Sequence, residues 1–331
     1  MERGTIPSGA FNPERRNYPR IALAELGDQL AALPGNACDS ILALPYSCAV
    51  TTIVIPAHNE ARVIGRLLGQ LLPDTLASDL SVLVVANGCT DDTAQIARSF
   101  GPCVRVLTIP VAAKHAALAV AHREAAGFPR IYVDADVELT AQDVKELVAA
   151  LDEPGVLAVA PERELVLAGR PWPVRWFYDV WLRLPETRRG LWGRGVVAVG
   201  EAGQRRIAAL PPLIGDDLAA SLLFAEAERR IVAGARVIVH PPRTGRDLIG
   251  RRVRCATGVT QLERVPGAPP STARTRPRDL ADIARADPRM ALRVALFLVI
   301  ACLARLRSRR EVARGDFTAW HRDEGSREPA A

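Results

Sequence analysis

The sequence predicts an α/β protein built on a parallel-type sheet with flanking helices. Two observations carry this: short apolar runs alternate with amphipathic helical stretches between about 50 and 151, and polar clusters follow the first, second and fourth of those runs. Strands that alternate with helices imply parallel neighbours joined by right-handed crossovers.

Val50 to Pro56 reads as a buried strand, followed by a helix from about Ala61 to Leu72. Its Val63, Ile64, Leu67, Leu68, Leu71 and Leu72 recur at helical spacing. Ser81 to Ala86 is the second strand, then the turn N-G-C-T-D-D and a helix from about Thr93 to Phe100. Val104 to Ile109 is the third strand and Lys114 to Ala126 the third helix. Ile131 to Asp134 is the fourth strand and Thr140 to Leu151 the fourth helix, with Thr140 and Asp143 spaced as a capping pair. Later come a strand at Gly195 to Val199, a G-D-D-L turn at Gly215 to Leu218, a helix to about Arg230 and a strand at Arg236 to His240.

With 331 residues, 49% apolar and 24% charged, the chain is expected to bury one large core or two modest ones, which excludes disorder as its main state. No apolar run reaches the ~18 residues of a membrane span. The longest, Val294 to Ala304, lies between Arg293 and Arg305. Met1 to Arg20 lacks the apolar segment of a secretory leader. The cysteines at 38, 48, 89, 103, 255 and 302 form no C-x-x-C pair, and a reducing cytoplasmic setting is expected. The net charge of +6 is unevenly spread: residues 1–160 hold 12 basic and 18 acidic side chains, residues 161–331 hold 31 and 19. The basic half suits an anionic partner. No nucleic-acid motif accompanies it, so a lipid surface or a phosphorylated substrate is expected rather than nucleic acid.

In a parallel sheet, ligands bind beyond the carboxyl ends of the strands, where crossover loops and helix N-termini converge. P-A-H-N-E (Pro56 to Glu60), N-G-C-T-D-D (Asn87 to Asp92) and D-A-D (Asp134 to Asp136) all fall at that edge. Asp134 and Asp136, spaced i, i+2 where a strand enters a loop, bring two carboxylates to one hard cation, Mg2+ or Mn2+, leaving positions for diphosphate oxygens and water. Two solvated aspartates capping the next helix are the alternative. A carboxylate such as Asp217 or Asp216 in the later turn suits the deprotonation of an attacking hydroxyl, or equally caps the helix beginning near Leu218.

In order and at these spacings, IPAHNEARVIGRLL, VVANGCTDDTAQIA and IYVDADVEL resemble the family 2 glycosyltransferases, whose fold is the nucleotide-diphospho-sugar-binding GT-A sheet with a C-terminal acceptor-side region. The resemblance covers about residues 50–260. It implies that Pro56, His58, Asn59, Glu60, Asn87 and Asp91 surround the nucleoside of a nucleotide-diphospho-sugar, and that Asp134 and Asp136 hold the divalent cation against its diphosphate. Lys114 would approach the phosphates, Asp217 would be the general base toward a hydroxyl acceptor and Asp216 its supporting acid. The family's Asp-Asp is replaced here by Ala86-Asn87, and the processive Q-x-x-R-W by Arg251-Arg252-Val253-Arg254-Cys255. Arg254 keeps the arginine, to contact diphosphate or a lipid-phosphate acceptor, while loss of the tryptophan points to single-sugar transfer. Asp91, Asp92 and the arginine run also have ordinary readings, as helix caps and a solvated basic face.

The expected organisation is an N-terminal arm over 1–45, a nucleotide-sugar-binding half over 46–160, an acceptor-side half of the same catalytic domain over 161–265, a linker over 266–289, and a C-terminal amphipathic helix and tail over 290–331. Six of the sixteen aromatic residues fall between Trp172 and Trp192, as core, sugar platform or membrane-interface belt. Val294 to Ala304 with the arginines behind it reads either as a buried helix or as a peripheral membrane contact through 290–310 on the cytoplasmic face. The function so predicted is an inverting, metal-dependent transfer of one sugar to a hydroxyl acceptor, lipid-linked or in cell-surface polysaccharide or glycolipid synthesis. The rival readings are a sugar nucleotidyltransferase, whose glycine-rich loop is missing from Pro56 to Glu60, and a glycosyltransferase-like binding protein without turnover.

Overall fold

The computed structural model describes residues 51–72, 80–210, 216–264 and 275–314. The arm proposed for 1–45 and the tail beyond 314 lie outside them. The strands are β1 (Thr51–Ala57), β2 (Leu80–Asn87), β3 (Val104–Ile109), β4 (Arg130–Val133), β5 (Ala158–Leu165), β6 (Val196–Val199) and β7 (Arg229–Val239). They form one seven-stranded sheet in the order β3-β2-β1-β4-β6-β5-β7.

Four helices connect its first half: α1 (Ile64–Leu71), α2 (Thr93–Arg98), α3 (Lys114–Glu124) and α4 (Ala141–Leu151). The first four strands pair in parallel, as the alternating pattern predicts. β6 departs from it, running antiparallel to both β4 and β5, and β7 is again parallel to β5. The runs of β1, β2 and β4 are continuously apolar because the sheet is covered on both faces. Ile53, Ile55, Val82, Val84, Ile131 and Val133 pack with Leu67, Leu68 and Leu71 of α1 and Leu147 of α4. Each such side chain, fully buried, contributes about 1.5–3 kcal/mol. Thr140 caps α4 as expected: its hydroxyl accepts from the Asp143 N–H at 3.2 Å, and the Asp143 carboxylate accepts from the Thr140 N–H at 3.0 Å.

The second half holds α5 (Trp172–Trp181), α6 (Pro185–Arg189), α7 (Glu201–Ala208), α8 (Asp216–Leu223), α9 (Gly245–Glu263), α10 (Pro277–Ala286) and α11 (Ala291–Arg314). Three expectations are corrected here. The helix expected to reach Arg230 ends at Leu223, and after a short 3-10 turn at Glu226–Glu228 the chain enters β7 at Arg229, seven residues before the expected strand start. β5 had no counterpart in the sequence reading. Residues 277–286, inside the expected linker, form α10 because Asp279 accepts from the Arg276 N–H and Leu280 and Ile283 are buried. They join Val174, Phe177, Trp181, Leu248, Phe297 and Ile300 in a second core among α5, α9, α10 and α11. No helix among the described residues is long and apolar enough to cross a membrane.

Candidate active site

The loops after β1 and β2 are latched together by side chains that the sequence marked. Asn59, in the left-handed region at φ 52°, accepts from the Thr90 N–H at 2.6 Å and donates its amide to the Thr90 hydroxyl at 3.1 Å. The Thr93 hydroxyl accepts from the Glu60 N–H at 2.7 Å, and Asp91 accepts from the Ala61 N–H and the Thr93 N–H, each at 3.1 Å. Asp91 therefore ties one loop to the other while serving the first turn of α2. His58 Nδ1 lies 2.6 Å from the Asn87 carbonyl oxygen. Pro56 is the penultimate residue of β1 and half-buried, whereas Glu60 is buried.

Asn87 is 1% exposed. With its amide oriented to suit its neighbours, it donates to the Ala57 carbonyl at 2.8 Å and accepts from the Ala113 N–H at 3.2 Å. A carboxylate cannot donate, so this bridge between the end of β1 and the start of α3 explains why Asn stands where the resembled pattern has Asp.

Lys114 opens α3 and directs Nζ onto Asp134 Oδ1 at 2.8 Å. The Asp134 side chain is 41% exposed, and Asp136 is half-buried two residues on. Two hard oxygen donors at this edge fit Mg2+ or Mn2+. Among the described residues no group of three or more His, Cys, Asp or Glu side chains converges, so such an ion would draw its other ligands from phosphate oxygens and water.

The segment Gly193-Arg194-Gly195, before β6, joins this cluster to the later turn. The Asp134 N–H donates to the Gly195 carbonyl at 2.7 Å, and the Gly193 N–H donates to Asp217 Oδ2 at 2.9 Å. Asp217 Oδ1 accepts from the Leu218 N–H at 2.8 Å, within the first turn of α8. The Asp216 side chain and Gly215 lie outside the described residues. Arg254 is half-buried on α9.

Three features here escaped the sequence reading. The first is the Gly193-Arg194-Gly195 segment, for which glycines between an aromatic cluster and a strand are the available clue. Arg163 on β5 is stacked 4.7 Å from the Trp181 ring and 6.0 Å from that of Trp192, and it donates to the Gly193 carbonyl at 3.3 Å. Burial pushes its guanidinium down to about 8; Arg194 pushes the same way and Asp217 pulls it back up. Arg194 itself donates to the carbonyls of Gly190, Pro161 and Arg188. The third feature is Glu138, beside the D-A-D turn, which accepts from Gln70 at 2.9 Å and meets His240 Nε2 at 2.6 Å. Burial alone would raise its carboxyl, but hydrogen bonds from Gln70 and His240 and the charge of Arg66 hold it below the usual range.

Residues 52–205 match the family model described as glycosyl transferase family 2. Residues 52–205, a little under half of the chain, are thus similar to a family 2 glycosyltransferase domain. The fold of the chain is similar to that of a mannosyltransferase from Pyrobaculum calidifontis, solved with GDP-Man and Mn2+. The two share 22% identity over 90% of this chain and 86% of the other, with a TM-score of 0.53. Glucosyl-3-phosphoglycerate synthase from Mycobacterium tuberculosis is also similar: 21% identity over 72% of this chain and 83% of that one, TM-score 0.48. Over 61 residues the chain is 41% identical to 4,4'-diaponeurosporenoate glycosyltransferase from Staphylococcus aureus. That stretch is 18% of this chain and 16% of the length of the curated relative. The GT-A sheet thus places the three polar clusters at one edge.

Proposed function

We propose that this glycosyltransferase moves a single sugar, with inversion, from a nucleotide-diphospho-sugar to a hydroxyl acceptor, using a divalent cation held by Asp134 and Asp136. The observation that carries the reading is the Gly193-Arg194-Gly195 segment, one end of which binds the Asp134 backbone and the other the Asp217 carboxylate. A donor-side and an acceptor-side carboxylate are thereby held in one frame. The mannosyltransferase bound to GDP-Man and Mn2+ lends support to a donor and cation of this kind.

The latched loops of Pro56 to Glu60 and Asn87 to Asp91 form the nucleoside end, and Lys114 approaches the diphosphate beside Asp134. When bound, the cation supplies charge stabilisation to the departing diphosphate. Asp217, oriented by two backbone N–H groups, accepts the proton of the acceptor hydroxyl as the new bond forms, with Asp216 as its supporting acid and Arg254 toward phosphate. The acceptor is lipid-phosphate-linked, of the kind used in cell-surface glycans or glycolipids, and residues 290–310 touch the cytoplasmic face of a membrane. The charge of residues 161–331, 31 basic against 19 acidic side chains, supports an anionic acceptor side.

The test is a panel of nucleotide sugars with the purified chain, Mn2+ and a lipid-phosphate acceptor. Transfer is expected with one donor and to be lost in Asp134→Ala and Asp217→Asn. Full transfer by either variant would overturn the mechanism.

A further inference from the structure

The helix α11 is apolar on two sides. One side, Val294, Phe297, Ile300 and Ala304, is buried in the second core against α5 and α9. The spacing 3, 3, 4 accounts for a single helix face, which ordinarily leaves the opposite face polar. Here the opposite face is Leu292, Ala295, Val299, Cys302, Leu303 and Leu306, with Leu298 at its margin. Leu292 is 71% exposed, Leu306 55% and Val299 54%. The stripe runs about 21 Å along the helix at 1.5 Å per residue. No charged side chain interrupts it between Arg293 and Arg305.

Its flanks are cationic. Arg305, Arg307, Arg309 and Arg310 are all exposed in the last turns, and Arg289 is exposed just before the helix. Among the described residues none of these five pairs with a carboxylate. Trp172 of α5, the helix packed against α11, is also exposed. It stacks edge-on with Trp176, over whose ring Arg293 lies.

We infer that the outer face of α11 is a docking surface for an anionic lipid leaflet, in which the helix lies parallel to the membrane plane with its apolar stripe in the acyl boundary and its arginines at the phosphates. This assigns to one helix face the membrane contact named in the functional reading, and it does not depend on the catalytic assignment. Two features favour a membrane. The helix is too short in apolar length to cross, and a cationic rim around an apolar strip is the complement of an anionic surface. A second copy of the chain fits less well: two such stripes packed antiparallel would set Arg305 to Arg310 of one copy against Arg289 of the other.

The experiment is flotation of the full chain with vesicles of phosphatidylcholine alone and of phosphatidylcholine containing about 30% phosphatidylglycerol. Binding is expected only to the anionic vesicles, weakening about tenfold or more when salt rises from about 0.1 M to about 0.5 M. Leu292→Ser/Val299→Ser/Leu303→Ser/Leu306→Ser is expected to lower binding at least tenfold. So is Arg305→Gln/Arg307→Gln/Arg309→Gln/Arg310→Gln, which leaves the packing of α11 intact should the first variant fail to fold. Absence of flotation by the parent chain would overturn the inference, as would unchanged binding by the arginine variant. A dimer in ultracentrifugation, dissolved by the serine substitutions without any vesicle binding, would assign the face to a second copy and also overturn it. Nucleoside-diphosphate affinity, measured on the same samples, reports separately on the donor site and is expected to stay unchanged in both variants.

Discussion

The Gly193 N–H donates to Asp217 Oδ2 at 2.9 Å, and two residues later the Gly195 carbonyl accepts from Asp134. A three-residue segment thus spans the two carboxylates on which the proposed chemistry depends. Arg163, pinned between Trp181 and Trp192, braces it through the Gly193 carbonyl. In Asp217→Asn the amide oxygen still accepts from Gly193, but the negative charge beside half-buried Arg163 is gone. Transfer is expected to fall about 10²–10⁴-fold. The unfolding free energy is expected to fall by about 1 kcal/mol, since the variant keeps a half-buried cation without its counter-charge. Initial rates and urea unfolding on the same preparation check both.

Gly195 tests the frame from its other end. It sits at φ +69°, and a Cβ there would lie 2.6 Å from Val137 Cγ1 and 3.3 Å from Asp134 Oδ2. Gly195→Ala is expected to cost about 1–3 kcal/mol of stability through backbone strain and contact. Because the displaced atoms belong to the D-A-D turn, Mn2+ affinity in the presence of nucleoside diphosphate should fall as well. Gly155→Ala, a positive-φ glycine with open space around it, is the control for strain alone.

Lys114 and Asp134 form a half-exposed ion pair, worth less than about 1 kcal/mol to the fold. Lys114→Gln should therefore leave the melting temperature nearly unchanged. The same substitution is expected to raise the KM for the donor about tenfold, because the role proposed for the lysine is to act on the diphosphate.

His122 provides a pH prediction away from the site. Burial, reinforced by Arg130, pushes its imidazole down to about 4. The neutral ring is the form that fits the fold. Its contribution is fully present above the unfolded value of about 6.5 and is lost as pH falls from there toward 4. His122→Gln should flatten the urea-unfolding free energy over that window, by roughly 3 kcal/mol at its acid end.

Asn87→Asp restores the residue of the resembled pattern and is expected to be harmful. The carboxylate loses its donation to the Ala57 carbonyl and buries a charge, at a cost of about 2–4 kcal/mol at neutral pH. The folded-state pKa of the new acid would be raised, so the deficit should shrink as pH falls and the protonated acid regains a donor. Unfolding curves at pH 7 and pH 5 distinguish this from a simple packing defect.

The first half of the fold was legible because β1, β2 and β4 are buried on both faces and are written as continuous apolar runs. β5 is different. Its A-V-A-P-E-R-E-L carries Pro161 at a register shift against β7 and alternates exposed charges beyond it. β7 opens on Arg229 and Arg230; it is an edge strand with exposed positions, and its one apolar run before Val237, Ile231-Val232-Ala233, is cut off by Gly234. Nothing in V-V-A-V of β6 encodes that it runs antiparallel; direction is decided by pairing with β4. At the site, the D-A-D turn and Lys114 were readable as residue types at a strand end. Arg163 was not, because its role comes from Trp181, Trp192 and Gly193, which only tertiary packing brings to β5. The helical linker segment at 277–286 was masked by its proline and arginines, although Leu280 and Ile283 carry the buried spacing.

The most direct test is calorimetric titration of nucleoside diphosphates into the chain and into Asp134→Ala, with and without Mn2+. The account predicts that one nucleoside diphosphate binds at least tenfold more tightly when Mn2+ is present, and that Asp134→Ala abolishes the difference. Equal affinity with and without Mn2+ in the parent chain would contradict the assignment of Asp134 and Asp136 as the cation's holders.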